Sequence, residues 1–118
     1  YKGGDVKQLK NSLVKNNILI LLSDQDAKKK GVMAKFFGID SSTHSGAAIL
    51  SKRNKSPIVY ASITCKNNIY EVDFVKIDTS GSINDIVQQY TSEIEKTIIN
   101  NPEQYFWFHK RWKSVKAY

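Results

Sequence analysis

Cysteine occurs once, at Cys65, and histidine twice, at His44 and His109. A lone thiol excludes an internal disulfide and a Cys-rich metal cluster, and it suits a reducing compartment: the cytoplasm or its membrane face. His44 is followed by SGAAI and His109 by KRWKS, so neither has a carboxylate five positions on, and no Ser-His-Asp set can be assembled. Glycine is equally uninformative for nucleotides, since Gly31, Gly38 and Gly46 do not form a phosphate-cradling spacing. The longest apolar run, Ile18 to Leu22, falls far short of the roughly 20 residues that span a bilayer. Repeats, low-complexity tracts and signal-peptide regions are missing too. Because the chain begins at Tyr1 rather than Met, an N-terminal portion is expected to precede it.

What is present is one ordinary globular domain over residues 1–118, with 41% hydrophobic and 25% charged residues. The net charge of +7 favours acidic partners: nucleic acid, anionic headgroups, phosphorylated small molecules or an acidic protein. Charge alone does not choose among them.

Val6, Leu9 and Leu13 recur at helical spacing between Asp5 and Lys15. NNILILLS then suits a strand buried on both faces, as in a parallel sheet, ending at Asp24, Gln25 and Asp26. Residues 27–40 read as a loop around KKKGV and FFG, with room for a short strand near Met33. A helix is expected from Thr43 to Arg53, stopped by Pro57. SPIVYASITC reads as a strand, KNN as a turn and IYEVDFVKI as an antiparallel partner. Beyond Gly81 and Ser82, the stripe Ile83, Ile86, Val87, Tyr90, Ile94 and Ile98 marks a long amphipathic helix. Asn101 and Pro102 open another, on which Tyr105, Phe108 and Trp112 share one face. The order predicts an α/β domain whose sheet is mixed and mainly parallel, flanked by helices.

Ligand sites in open α/β sheets gather at the carboxyl ends of strands, which singles out Asp24, Gln25 and Asp26. The plain alternative is that Asp24 turns the chain and caps the next segment. As a metal pair, D-x-D without further ligands is weak, and no metal or cofactor is expected. Lys28, Lys29 and Lys30 read as a solvated surface run, and His44 as a surface or capping residue. The interleaved rings and bases of YFWFHKRWK also suit a single-strand nucleic-acid platform, provided Phe106, Trp107 and Phe108 are exposed.

In order and spacing, DQDAKKKGV, FFG, STHSGAAILSKRNKSPIV and NPEQYFWFHKRWK resemble the C-terminal half of the bacterial lipid A biosynthesis lauroyl/myristoyl acyltransferases, a lysophospholipid acyltransferase-like family. The resemblance runs from about Ile18 to Lys113, and its specific part is the likeness of NPEQYFWFHKRWK to the family's N-P-E-Q-W-x-W-x-H-R-R-W. Two departures stand out: His44 lies where the family usually has a hydroxyl, and Tyr60 where a proline commonly ends the strand.

The resemblance implies the C-terminal part of a glycerolipid acyltransferase-like fold. It also implies transfer of a fatty acyl group from acyl carrier protein to a hydroxyl of a lipid A precursor, at the cytoplasmic face of the inner membrane. The family's catalytic His-x-x-x-x-Asp/Glu is absent from these residues. The chain is then the acceptor-side half of an enzyme, with Asp24, Gln25, Asp26, Arg53, His109, Lys110 and Arg111 as substrate-binding candidates. Acyl carrier protein, the lipid A precursor and an anionic membrane surface are the expected partners, and nucleic acid is not. Within the signature, the aromatics are expected to close the core while His109, Lys110, Arg111 and Lys113 emerge toward anionic ligand. On that division Trp107→Ala damages folding and Arg111→Ala spares it. Two other readings remain open: a basic nucleic-acid-binding module, and a catalytically silent interaction domain of the same fold.

Overall fold

The computed structural model describes residues 17–115, preceded by Leu9, Asn11 and Leu13. Those three are helical; the rest of the helix expected over Asp5–Lys15 lies outside the described residues. The architecture is a small α/β domain with two separate two-stranded sheets. In chain order, a 3-10 turn at Lys28–Lys30 leads to β1 (Val32–Phe36), β2 (Ile39–Thr43) and α1 (Gly46–Asn54). Then come β3 (Ile58–Lys66), β4 (Ile69–Ile77), α2 (Ile83–Asn100) and a second 3-10 turn, Pro102–Gln104.

Both sheets are antiparallel hairpins, which corrects the expected mainly parallel sheet. The cause is turn chemistry. Phe37 and Gly38 both take positive φ, as do Asn67 and Asn68, and two consecutive left-handed residues fold a strand directly back on its neighbour. The β3–β4 hairpin agrees with its expected strands and turn. The β1–β2 hairpin replaces the expected loop, and the expected helix start at Thr43 is instead the end of β2. What conceals β2 is its composition: IDSST buries Ser41, Ser42 and Thr43, the reverse of an apolar pattern.

The run Ile18 to Leu22 is another correction. It belongs to no strand, and Ile18, Ile20 and Leu22 are 90%, 82% and 86% exposed. An apolar run becomes a central strand only where neighbours satisfy its backbone and cover both faces, and the described residues supply neither. Asp24 and Asp26 therefore do not sit at a strand's carboxyl end.

Helix α2 organises the core. A capping box starts it: the Ser82 hydroxyl accepts the Asp85 N–H while the Asp85 carboxylate accepts the Ser82 N–H. Its expected stripe is buried at Ile86, Val87, Tyr90, Ile94 and Ile98. Ile86, Val87 and Tyr90 pack with Ala34, Ala48 and Ile77, while Ile94 and Ile98 pack with Phe36, flanked by Tyr60, Tyr105 and Trp112. Glutamine side chains also serve as short substitute strands. Gln88 pairs with the Lys35 N–H and C=O at 2.7 and 3.0 Å, and Gln104 does the same to Cys65 at 2.7 and 3.0 Å. Each satisfies strand-edge backbone groups that otherwise invite another chain.

The second expected helix at Asn101 is only one 3-10 turn. Asn101 N–H closes α2 onto Thr97 and Ile98, and Tyr105 is already extended at φ −87°, ψ 142°.

The fold predicts a contrast measurable by urea unfolding. Ile86→Ala, in the core, should cost about 2–5 kcal/mol, and Ile20→Ser, on the exposed run, less than about 0.5 kcal/mol. A large loss for Ile20→Ser would show that the run is covered in solution.

Candidate functional site

The segment after α2 runs through turns instead of a helix, and side-chain bonds hold residues 105, 107, 109 and 111. Tyr105 Oη donates to the Asp24 carbonyl at 3.3 Å, and Trp107 Nε1 to the Pro102 carbonyl at 2.7 Å. The Asp26 N–H donates to His109 Nε2 at 2.9 Å. Arg111 donates from Nη1 to the Ser42 carbonyl and from Nη2 to Thr43 Oγ1, both at 2.7 Å. Ser114 closes the series, its hydroxyl donating to Asp26 Oδ1 at 2.6 Å. The segment is thus stitched to residues 24–28 and to β2 along a seam.

Arg111 is 1% exposed, with its guanidinium carbon 5.1 Å from the centre of the Phe36 ring. A buried cation needs acceptors and a polarisable neighbour, and the polar strand Ser41–Thr43 with Phe36 provides them. The expected emergence of Arg111 toward ligand is therefore corrected, since its charge is turned inward. Trp107 is half exposed and Phe106 and Phe108 are more so, so the expected burial of these rings is corrected as well. Of the expected core stripe, Tyr105 and Trp112 pack beside Phe36 and Phe108 does not.

The structure brings Asp24, Asp26, His109 and Arg111 together at the seam. Asp26 is buried, and its carboxylate accepts the Lys28 N–H at 2.7 Å as well as Ser114. Burial alone would raise its pKa, but the hydrogen bonds from Ser114 and Lys28, aided by the Lys113 charge, hold it below the ordinary value. For His109, burial and then Lys113 lower the pKa, against the opposing pull of Asp24 and Asp26. Because Nε2 accepts the Asp26 N–H, the neutral ring carries its proton on Nδ1. In this state Nε2 is not open to act as a base on substrate. Gln25, Lys110 and Lys113 are exposed around the seam, and Arg53 is exposed on a different element, in the last turn of α1.

Lys28, Lys29 and Lys30 are exposed, as a solvated surface run should be. With Ala27 and Ser114 they line an open depression of ≈ 630 Å³ beside the seam. The arrangement can attract a phosphorylated ligand. Among the described residues no three His, Cys, Asp or Glu side chains gather to hold a metal, and no helix is long and apolar enough to cross a membrane.

The seam makes Arg111 a larger contributor to stability than Trp107. Arg111→Ala removes one of the partners of the Ser42 carbonyl and of Thr43 Oγ1 and leaves a void beside Phe36, and should cost about 3 kcal/mol, against about 1 kcal/mol for Trp107→Ala, in thermal melts. Equal losses would show that Trp107 is covered in solution.

Stability should also depend on pH through His109. A lowered folded-state pKa means that the unfolded chain binds the proton more readily, so the His109 contribution is complete above the ordinary value near 6.5. It is lost as pH falls below that value, through the folded-state pKa. His109→Gln keeps an acceptor for the Asp26 N–H and should flatten stability against pH in that window. The Asp26 contribution goes only at lower pH, below its ordinary value of 3.8. An unchanged profile in His109→Gln would place the transition on other groups.

A family model described as bacterial lipid A biosynthesis acyltransferase matches residues 1–114. No curated protein matches the chain. The family match covers nearly all of the chain and includes the seam, from Asp24 to Ser114, so the chain belongs to the bacterial lipid A biosynthesis acyltransferase family.

Proposed function

We propose that this chain forms the acceptor side of an enzyme that moves a fatty acyl group from acyl carrier protein to a hydroxyl of a lipid A precursor, at the cytoplasmic face of the bacterial inner membrane. The observation that carries the reading is the family match over residues 1–114, together with the signature segment seated on Asp26 and β2. In this reading the Lys28–Lys30 depression, with Lys110 and Lys113 exposed near the seam, attracts the phosphates of the acceptor. The acidic surface of a carrier protein and an anionic leaflet would be drawn by the same +7 charge.

The roles of the candidate residues change accordingly. Asp26, His109 and Arg111 hold the site's shape, whereas Gln25, Lys110 and the three lysines present groups to ligand. Arg53 remains a contact for the acceptor only if the acceptor reaches α1. Proton removal from the attacking hydroxyl is assigned to a His-x-x-x-x-Asp/Glu pair that these residues do not contain.

A second reading keeps one specific support. Phe106, Trp107 and Phe108 are exposed beside basic residues, as a nucleic-acid platform requires. Family membership favours the acyltransferase.

The test compares two proteins with acyl carrier protein thioester and a diphosphorylated lipid A precursor. A general base contributes about 10²–10⁴-fold, so the 118-residue chain alone should fall at least that far below a fusion carrying the family's His-x-x-x-x-Asp/Glu half. In the fusion, neutralising Lys28, Lys29 and Lys30 to Gln should raise KM for the acceptor more than it lowers kcat. Enzyme-like turnover by the chain alone would overturn the assignment of the base.

A further inference from the structure

We propose that the turn Phe106–Phe108 is a bilayer anchor, its two phenylalanine rings entering the headgroup boundary of an anionic membrane while Lys110 and Lys113 meet the lipid phosphates. The proposal rests on the membrane-surface reading of the function and adds the surface that makes the contact.

Phe106 and Phe108 are 60% and 90% exposed, and their ring centres lie 6.0 Å apart. Isolated exposed rings are common, but two rings leaning on each other form an apolar knob. The knob stands on a fixed base. Tyr105, Trp107, His109 and Arg111 are each tied by a hydrogen bond, and Phe106, Phe108 and Lys110 are exposed. Trp107 also packs edge-on against Tyr105 at 4.9 Å. Little further ordering is then lost when the rings meet a partner.

Charge selects the partner. From Gln104 to Tyr118 the sequence has no acidic residue, and it carries Lys110 and Lys113 directly after the rings. Both lysines are exposed. Aromatic rings beside lysines match the headgroup boundary, where apolar surface and anionic phosphate lie within a few ångströms of each other. A second copy of a +7 chain would be repelled by the same surface. A nucleic-acid strand needs ring faces open for stacking, and the mutual contact of Phe106 and Phe108 suits insertion as a unit better.

The experiment measures binding of the 118-residue chain to vesicles of phosphatidylglycerol and phosphatidylethanolamine by sedimentation, at low and high salt. Phosphatidylcholine vesicles and an oligothymidylate serve as controls, and melts confirm that each variant is folded. Phe106→Ser with Phe108→Ser should weaken vesicle binding about ten- to a hundredfold at both salt levels, through lost apolar burial. Lys110→Gln with Lys113→Gln should weaken it about tenfold, mainly at low salt. Brominated lipid should quench tryptophan fluorescence in the parent chain through Trp107, and less in the double serine variant. Parent-like vesicle binding by the serine variant would overturn the anchor and leave the membrane reading standing. Absence of vesicle binding by the parent would overturn both. Tighter binding to oligothymidylate, lost in the serine variant, would overturn the anchor in favour of base stacking.

Discussion

The domain depends on one buried cation. Arg111 reaches across 69 residues of sequence to donate to the Ser42 carbonyl, and through its second amino group to Thr43. Without it, the Ser42 carbonyl would keep only the Ala27 N–H and Thr43 Oγ1 only its bond to Ser41, in a strand, IDSST, that has little apolar surface to offer a core. The dependence runs both ways. A guanidinium is costly to desolvate, and only a polar strand backed by the Phe36 ring gives it acceptors and a π face in the same place.

From that contact the rest of the seam takes its register. With Arg111 fixed on β2, His109 comes within reach of the Asp26 N–H and Ser114 within reach of its carboxylate. Asp26 in turn organises the start of the lysine turn through the Lys28 N–H. The groups with the most chemical appeal in the sequence thus direct their polar atoms at one another. What remains turned to solvent around the seam is the positive charge of Lys28, Lys29, Lys30, Lys110 and Lys113.

How much of this was legible depended on whether the signal was local. The α2 stripe and the β3–β4 hairpin were, because apolar spacing in one and a two-asparagine turn in the other are written within a few residues of each other. Strand β2 was not, since its buried polar groups are satisfied by Ala27, Lys28 and, far along the chain, Arg111. The run from Ile18 to Leu22 misled for the opposite reason: its composition was strand-like, but strand formation requires a neighbour that local sequence cannot certify. In the candidate site the error was one of direction. Lys110 and Lys113 are exposed as basic side chains near a segment's end should be, and Arg111 between them is not. Nothing local in YFWFHKR announces the run of turns that the segment forms after Tyr105.

The run of turns also explains how one short signature can face two ways. In a helix, residues 105, 108 and 112 would share a face and the rings would have to choose between core and ligand together. Folded instead into turns, the segment sends Tyr105, His109 and Arg111 into the seam while Phe106, Phe108 and Lys110 are exposed. Substitutions on the inner set are constrained by hydrogen-bond geometry and volume, and the exposed set has more room to change. Lys110→Arg should therefore leave the melting temperature nearly unchanged, because that charge is exposed, and Arg111→Lys should lower it, because a single ammonium cannot replace a planar fork donating from two nitrogens at once.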